Sequence, residues 1–234
     1  MARRVVLWDF DGTLAQRPGM WGIELAAAAA EVIPGHVLDL DALRPYLATG
    51  FPWHEPERPH LELCEPEAWW AHVLERLASG LVQMGYDGGV AREIALASRP
   101  RFLDPTPYRV YPEVVPTLER MTAEGWEHVV LSNHVPELPT MAEALGLSKH
   151  FRAVLSSGNL GYEKPHPEIF RLALEAAGSP EECWMVGDSP VADVEGAEGV
   201  GIPAVLVRRE NAEAKRRAPD LAGAYEIITG RAGL

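Results

Sequence analysis

The chain has 234 residues and a formal charge of −13 at pH 7, with 47% apolar and 24% charged residues and a sequence pI near 5.1. That length can bury a sizeable core and fits one large domain or a core with a smaller inserted module. The acidic balance repels nucleic-acid backbones and anionic membranes, so neither is an expected partner, and a phosphorylated ligand would need local positive charge.

In chain order, the first element is the apolar run Val5-Val6-Leu7-Trp8. The two arginines ahead of it give the charge order of a signal peptide, but Asp9 and Asp11 cut the run too short for an h-region. No stretch approaches transmembrane length, so a soluble, cytoplasmic protein is expected, with Cys64 and Cys183 as free thiols. Residues 15–108 then read as helical: Leu25–Val32 with its alanine run, Asp41–Leu47, Pro66–Ser79 and Val90–Ala97, with a proline-rich loop over Phe51–Pro59. Pro112–Glu124 reads as a helix stopped by Gly125, and His128–Leu131 as the second strand. Ala153–Leu155 is a third strand and His166–Ala177 a helix closed by Gly178. Cys183–Val186 and Pro203–Val207 complete the series. Short apolar runs without polar alternation suit strands covered on both faces, so the pattern predicts an α/β doubly wound parallel-sheet core. The core takes residues 1–14 and 109–234, and an all-α module spans 15–108.

Chemistry gathers at the strand ends. The first strand runs into Asp9-Phe10-Asp11-Gly12-Thr13, where two carboxylates around a glycine turn can divide the work of nucleophile, metal ligand and proton carrier. Ser132-Asn133-His134 follows the second strand, where a hydroxyl and backbone N–H groups can take a phosphoryl oxygen. Lys164 stands before a helix in Glu163-Lys164-Pro165-His166-Pro167 and could neutralise developing negative charge. Gly187-Asp188-Ser189 follows a later strand and offers Asp188 to a hard cation, while Asp193 stands at the start of the next helix. Trp53 and Arg58 in the proline-rich loop, and His134, are candidate substrate contacts. Of the adjacent Trp69 and Trp70, at least one belongs to packing.

These four segments, in this order, resemble the four motifs of the haloacid dehalogenase superfamily, with the helical insert in the place of that superfamily's cap. The resemblance implies a Rossmann-like core and a Mg²⁺-dependent phosphohydrolase acting through an aspartyl-phosphate on a small phosphorylated metabolite. Asp9 would be nucleophile and metal ligand. Asp11 would be the acid–base, with its carbonyl on the metal, and Asp188 the further carboxylate ligand. Gly12, Thr13, Ser132, Asn133 and Lys164 would hold the phosphoryl group, with Asp193 and Ser189 supporting. Asp11 points to the phosphatase branch over a metal-free dehalogenase; a sugar phosphomutase and a non-catalytic binding module are the alternatives. His166 departs from the superfamily pattern, in which many members carry Asp after Lys-Pro. Which phosphorylated metabolite is used stays open.

Overall fold

The computed structural model describes residues 3–210 and 213–231, so residues 1–2, 211–212 and 232–234 of the expected core segments lie outside it. Strands β1 (Arg4–Trp8), β4 (Trp126–Ser132), β5 (Ala153–Ser156), β6 (Glu182–Gly187), β7 (Ala204–Val207) and β8 (Arg217–Ala218) form one sheet in the order β5-β4-β1-β6-β7-β8. Every pair in it is parallel. The order reverses at β1, whose carboxyl end therefore opens on the crevice where such sheets bind ligands.

The two faces of the sheet explain its unbroken apolar strands. Val5 and Leu7 point to one side, into a core with Ile169 and Phe170 of α8 (Pro167–Ala176). Val6 and Trp8 point to the other, with Leu118 and Met121 of α5 (Val114–Ala123) and Tyr225 of α10 (Leu221–Ile228). Each side chain of β1 from Val5 to Trp8 is fully buried. The remaining core helices, α6 (Leu138–Ala144), α7 (Ser157–Leu160) and α9 (Gly196–Gly199), are short.

Between the loop that follows β1 and the rest of the sheet lies a helical layer. It holds α1 (Met20–Val32), α2 (Leu40–Leu43), α3 (Pro66–Gln83) and α4 (Gly88–Leu103). The alanine run lets α1 lie close on α4: Ala28 and Ala29 are buried in the same cluster as Ala91, Ile94 and Ala95. Helix α4 starts two residues before its expected first residue, because Asp87 caps it by accepting from Gly89 N and Val90 N, and it runs on past Pro100 to Leu103. The expected helix over Asp41–Leu47 splits into α2 and a 3₁₀ turn, Arg44–Leu47, with Pro45 in its first turn. A further 3₁₀ turn, Pro52–His54, lies within the expected loop. The layer joins the core through a two-stranded ribbon in which β2 (Ala15–Gln16) pairs antiparallel with β3 (Arg109–Val110). The boundary drawn at residues 15 and 108 runs through this ribbon, since two-residue strands carry no periodic signal.

A buried histidine ties the core together. Trp8 Nε1 donates to His128 Nδ1 at 3.1 Å, so Nε2 carries the proton and donates to the Leu118 carbonyl at 3.1 Å. Burial lowers the His128 pKa from 6.5 to about 4. The unfolded chain takes up this proton near pH 6.5 and the folded chain only near pH 4. The contribution of the neutral ring is thus complete above pH 6.5 and is lost as pH falls through that window, by about 3 kcal/mol. Urea unfolding of the protein and of His128→Gln between pH 7 and 4 reads this as a difference in slope; parallel curves would refute it.

Candidate active site

The ends of β1, β4 and β6 and the segment ahead of α8 converge on Asp9. The backbone N–H of Asp9 donates to Val186 O at 2.9 Å, which holds the Asp9–Thr13 loop against β6. Asp9 Oδ1 accepts from Ser132 Oγ at 2.9 Å and from Lys164 Nζ at 2.8 Å, and Asp9 Oδ2 accepts from Thr13 Oγ1 at 3.2 Å. Lys164 Nζ also donates to Asp193 Oδ1 at 2.6 Å and to the Leu131 carbonyl at 2.8 Å. The ammonium is thus fully engaged, and although burial opposes it, the two carboxylates raise its pKa above the usual lysine range.

Asp193 shows the opposite pull: burial raises its carboxyl pKa to about 6, while Lys164 lowers it. Its geometry is that of an ionised carboxylate, because Oδ2 accepts from Ser189 N at 2.9 Å while Oδ1 faces the ammonium. As expected, Asp193 stands at the start of a helix: it lies in the first turn of a π-helical segment, Pro190–Glu195, that Ser189 caps by accepting from Ala192 N. Two glycines let these groups approach. At Gly12, with φ of 79°, an added Cβ would stand 2.5 Å from Asp188 Oδ2, and at Gly187 it would stand 2.1 Å from Asp193 Oδ2.

Several expected phosphate contacts do other work. Thr13 is fully buried and orients Asp9. Gly12 N donates to Ala15 O, closing the turn, instead of facing a ligand. The Asn133 side chain clamps Lys164, donating to its carbonyl at 2.9 Å and accepting from its N–H at 2.7 Å. Only its main chain remains for a phosphoryl oxygen. His166 caps α8, with Nδ1 accepting from Glu168 N, so the departure from the superfamily pattern falls outside the site.

Asp9, Asp188 and Asp193 offer carboxylate oxygens within 4.8 Å of one another, an all-oxygen set that suits a hard cation. Asp193 is committed to the Lys164 ammonium and to Ser189 N, whereas Asp9 Oδ2 makes a single 3.2 Å contact, so Asp9 and Asp188 are the carboxylates that best fit the cation. Burial and the neighbouring Asp9 raise the Asp188 pKa, against the pull of Arg209. That repulsion is what a cation would relieve. Arg209, which the sequence reading missed, donates to Asp188 Oδ2 from Nε at 2.9 Å and Nη2 at 2.8 Å.

Asp11 points the other way, into a cavity of about 190 Å³ under the helical layer. Its Oδ2 lies 3.3 Å from His134 Nε2, which is itself 3.2 Å from the Tyr108 hydroxyl. The layer supplies Trp21, Trp53, Trp69 and Phe102, with Trp21 stacked on Phe102 at 3.8 Å between ring centroids. The core contributes His134 and Glu163 to the wall. Burial pushes the Glu163 carboxyl up to about 7, against the pull of the Ser157 hydroxyl and of Lys164.

Trp53 and His134, two of the expected substrate contacts, both line this cavity, and Trp69 lines it too while Trp70 is packed, donating to Glu137. Arg58 does not line it. Its side chain is 62% exposed and paired with Glu55 and Glu62, because the Pro56–Pro59 segment turns outward between those two acids. Trp21, Phe102, Tyr108 and Glu163 were not singled out from sequence. Only Glu163, next to Lys164, carried a positional signal.

Comparison with known proteins bears on this arrangement. A family model described as haloacid dehalogenase-like hydrolase matches residues 3–201. A phosphoserine phosphatase from Thermus thermophilus is 38% identical over 173 residues, covering 72% of this chain and 68% of its own. A glyceraldehyde 3-phosphate phosphatase from Methanothermobacter thermautotrophicus is 34% identical over 114 residues, which is 46% of this chain and 49% of that protein. A 2-haloacid dehalogenase from Pseudomonas syringae shares the fold, with a TM-score of 0.70 at 23% identity over 97% of this chain and 99% of that one.

Proposed function

We propose, for a chain that belongs to the haloacid dehalogenase-like hydrolase family, the Mg²⁺-dependent hydrolysis of a small phosphate monoester through an aspartyl-phosphate on Asp9. The carrying observation is the grip of Ser132 and Lys164 on Asp9 Oδ1, with Asp11 two residues on and opening into a separate cavity. The names of the two phosphatase relatives support the same reaction class.

Asp9 Oδ2, with its single 3.2 Å contact to Thr13, is the oxygen left to attack phosphorus. As the new P–O bond forms, the bond to the leaving oxygen breaks and Asp11 gives that oxygen its proton. Asp11, now ionised, takes a proton from water, whose oxygen attacks the phosphorus of the acyl phosphate and returns Asp9 as carboxylate. Lys164 and Ser132 would turn the hydrogen bonds they now give Asp9 Oδ1 toward the phosphoryl oxygens, while Lys164 keeps Asp193 and the Leu131 carbonyl. Mg²⁺ on Asp9, Asp188 and the Asp11 carbonyl would supply further neutralisation of phosphoryl charge. A dehalogenase has no use for a carboxylate at Asp11, which favours the phosphatase reading.

Asp9 is only 6% exposed, and the cavity into which Asp11 points is walled by Trp21, Trp53, Trp69 and Phe102 of the helical layer. Lifting of that layer about the ribbon of β2 and β3 would admit the ester. Closure would exclude water and leave the Trp21–Phe102 wall against the leaving group.

The test is phosphate release from an aryl phosphate with and without metal. Turnover should fall at least ~100-fold in EDTA and return with Mg²⁺. Halide release from a 2-haloacid without metal, and no phosphatase activity, would refute the reading.

A further inference from the structure

Three residues that line the cavity each carry a buried side-chain oxygen or nitrogen without a hydrogen-bond partner: Asp11 Oδ1, Glu163 Oε2 and His134 Nδ1. His134 Nε2 faces the Asp11 carboxylate at 3.3 Å and so carries the ring proton, which leaves Nδ1 as a lone pair. Glu163 is only 3% exposed, and no phosphoryl-holding role accounts for it. Buried acceptors left without donors are costly, and sites that keep them are matched to a ligand that brings the donors.

The opposite wall is aromatic: Trp21, Trp53, Trp69 and Phe102. Among the described residues no lysine or arginine lines the cavity, so nothing there would neutralise an anionic leaving group. Aromatic faces attract cations through the ring quadrupole, most strongly when desolvated. A protonated amine carries three N–H donors, no acceptor and one positive charge, which answers both walls at once.

We propose that this cavity receives a protonated amine carried by the leaving group, so that the substrate is the phosphate ester of a small amino alcohol and Glu163 is its specificity-determining residue. The substrate assignment rests on the phosphatase reading; the amine site does not, and the two are tested apart.

Binding is read with ethanolamine and its neutral isostere n-propanol, by quenching of the tryptophans in the cavity. Turnover is read as kcat/KM for O-phosphoethanolamine against n-propyl phosphate, which has methyl in place of ammonium. Ethanolamine should quench saturably and at least 10-fold more tightly than n-propanol, and the ester ratio should exceed 10. Both preferences should collapse toward one in Glu163→Gln, and also in Trp53→Leu, a half-buried position that covers the case in which the Glu163 variant folds poorly. Equal binding of the two alcohols together with equal turnover of the two esters would overturn the amine proposal and leave the phosphatase reading standing. Preferential ethanolamine binding without hydrolysis of either ester or of an aryl phosphate would sink the phosphatase reading and support the amine site.

Discussion

Asp9→Asn is expected to lower turnover of any phosphate ester by a factor on the order of 10⁴ or more, with little change in stability. The amide keeps the shape of the side chain but is a poor nucleophile, and removing a nucleophile costs on this scale. The fold is spared because Lys164 keeps Asp193 at 2.6 Å and the Leu131 carbonyl at 2.8 Å. Asp11→Asn should fail differently. Nitrophenolate needs no proton to leave, so attack by Asp9 proceeds on an aryl phosphate, while the water step lacks its base. The expected trace is a burst of about one equivalent of nitrophenol per enzyme, then a rate ~10²–10⁴-fold below that of the parent protein. Stopped-flow absorbance shows the burst, and acid quench with radiolabelled phosphate shows whether label stays on the protein. A slow linear trace with no label retained would count against an aspartyl-phosphate.

The placement of these site residues was legible in the sequence, and the reason is local. A residue just past an apolar strand has its position set by the strand, and in a parallel sheet every such end lies on one edge. Asp9, Ser132 and Asp188 needed nothing more, and Lys164 only the helix start beside it. The direction each side chain takes was not legible. Asn133 looks like a phosphate ligand until its amide is seen clamping Lys164 across 31 residues of chain. Thr13 looks like one until its hydroxyl is found on Asp9.

The helical layer was harder still. Its helices show in composition, but Trp21 and Phe102 meet across the whole insert, and helical periodicity fixes a face without naming what that face meets. Arg58 is a candidate by its place in the proline-rich loop, but a charge flanked by glutamates three residues before and four after is satisfied where it stands.

Lys164→Met should cost stability as well as rate. In the parent protein one buried ammonium answers Asp9 at 2.8 Å and Asp193 at 2.6 Å, with the Lys164 side chain 2% exposed and Asp193 1%. Taking away one partner of a buried ion pair leaves uncompensated charge and destabilises by about 3–5 kcal/mol. The deficit should depend on pH with a definite sign. Without the ammonium, the Asp193 carboxyl pKa moves further above its unfolded value than the about 6 it has beside Lys164. The folded variant then holds a proton that the unfolded chain has released, so its stability falls as pH rises through that range and recovers as pH drops toward 4. Asp193→Asn in the Lys164→Met background removes one of the two stranded charges and should restore a large part of the loss at pH 7, while Asp193→Asn alone should destabilise the parent. Urea unfolding of the four proteins at pH 7 and pH 5 measures this cycle. If the two substitutions add independently at both pH values, the ammonium is not what balances Asp193.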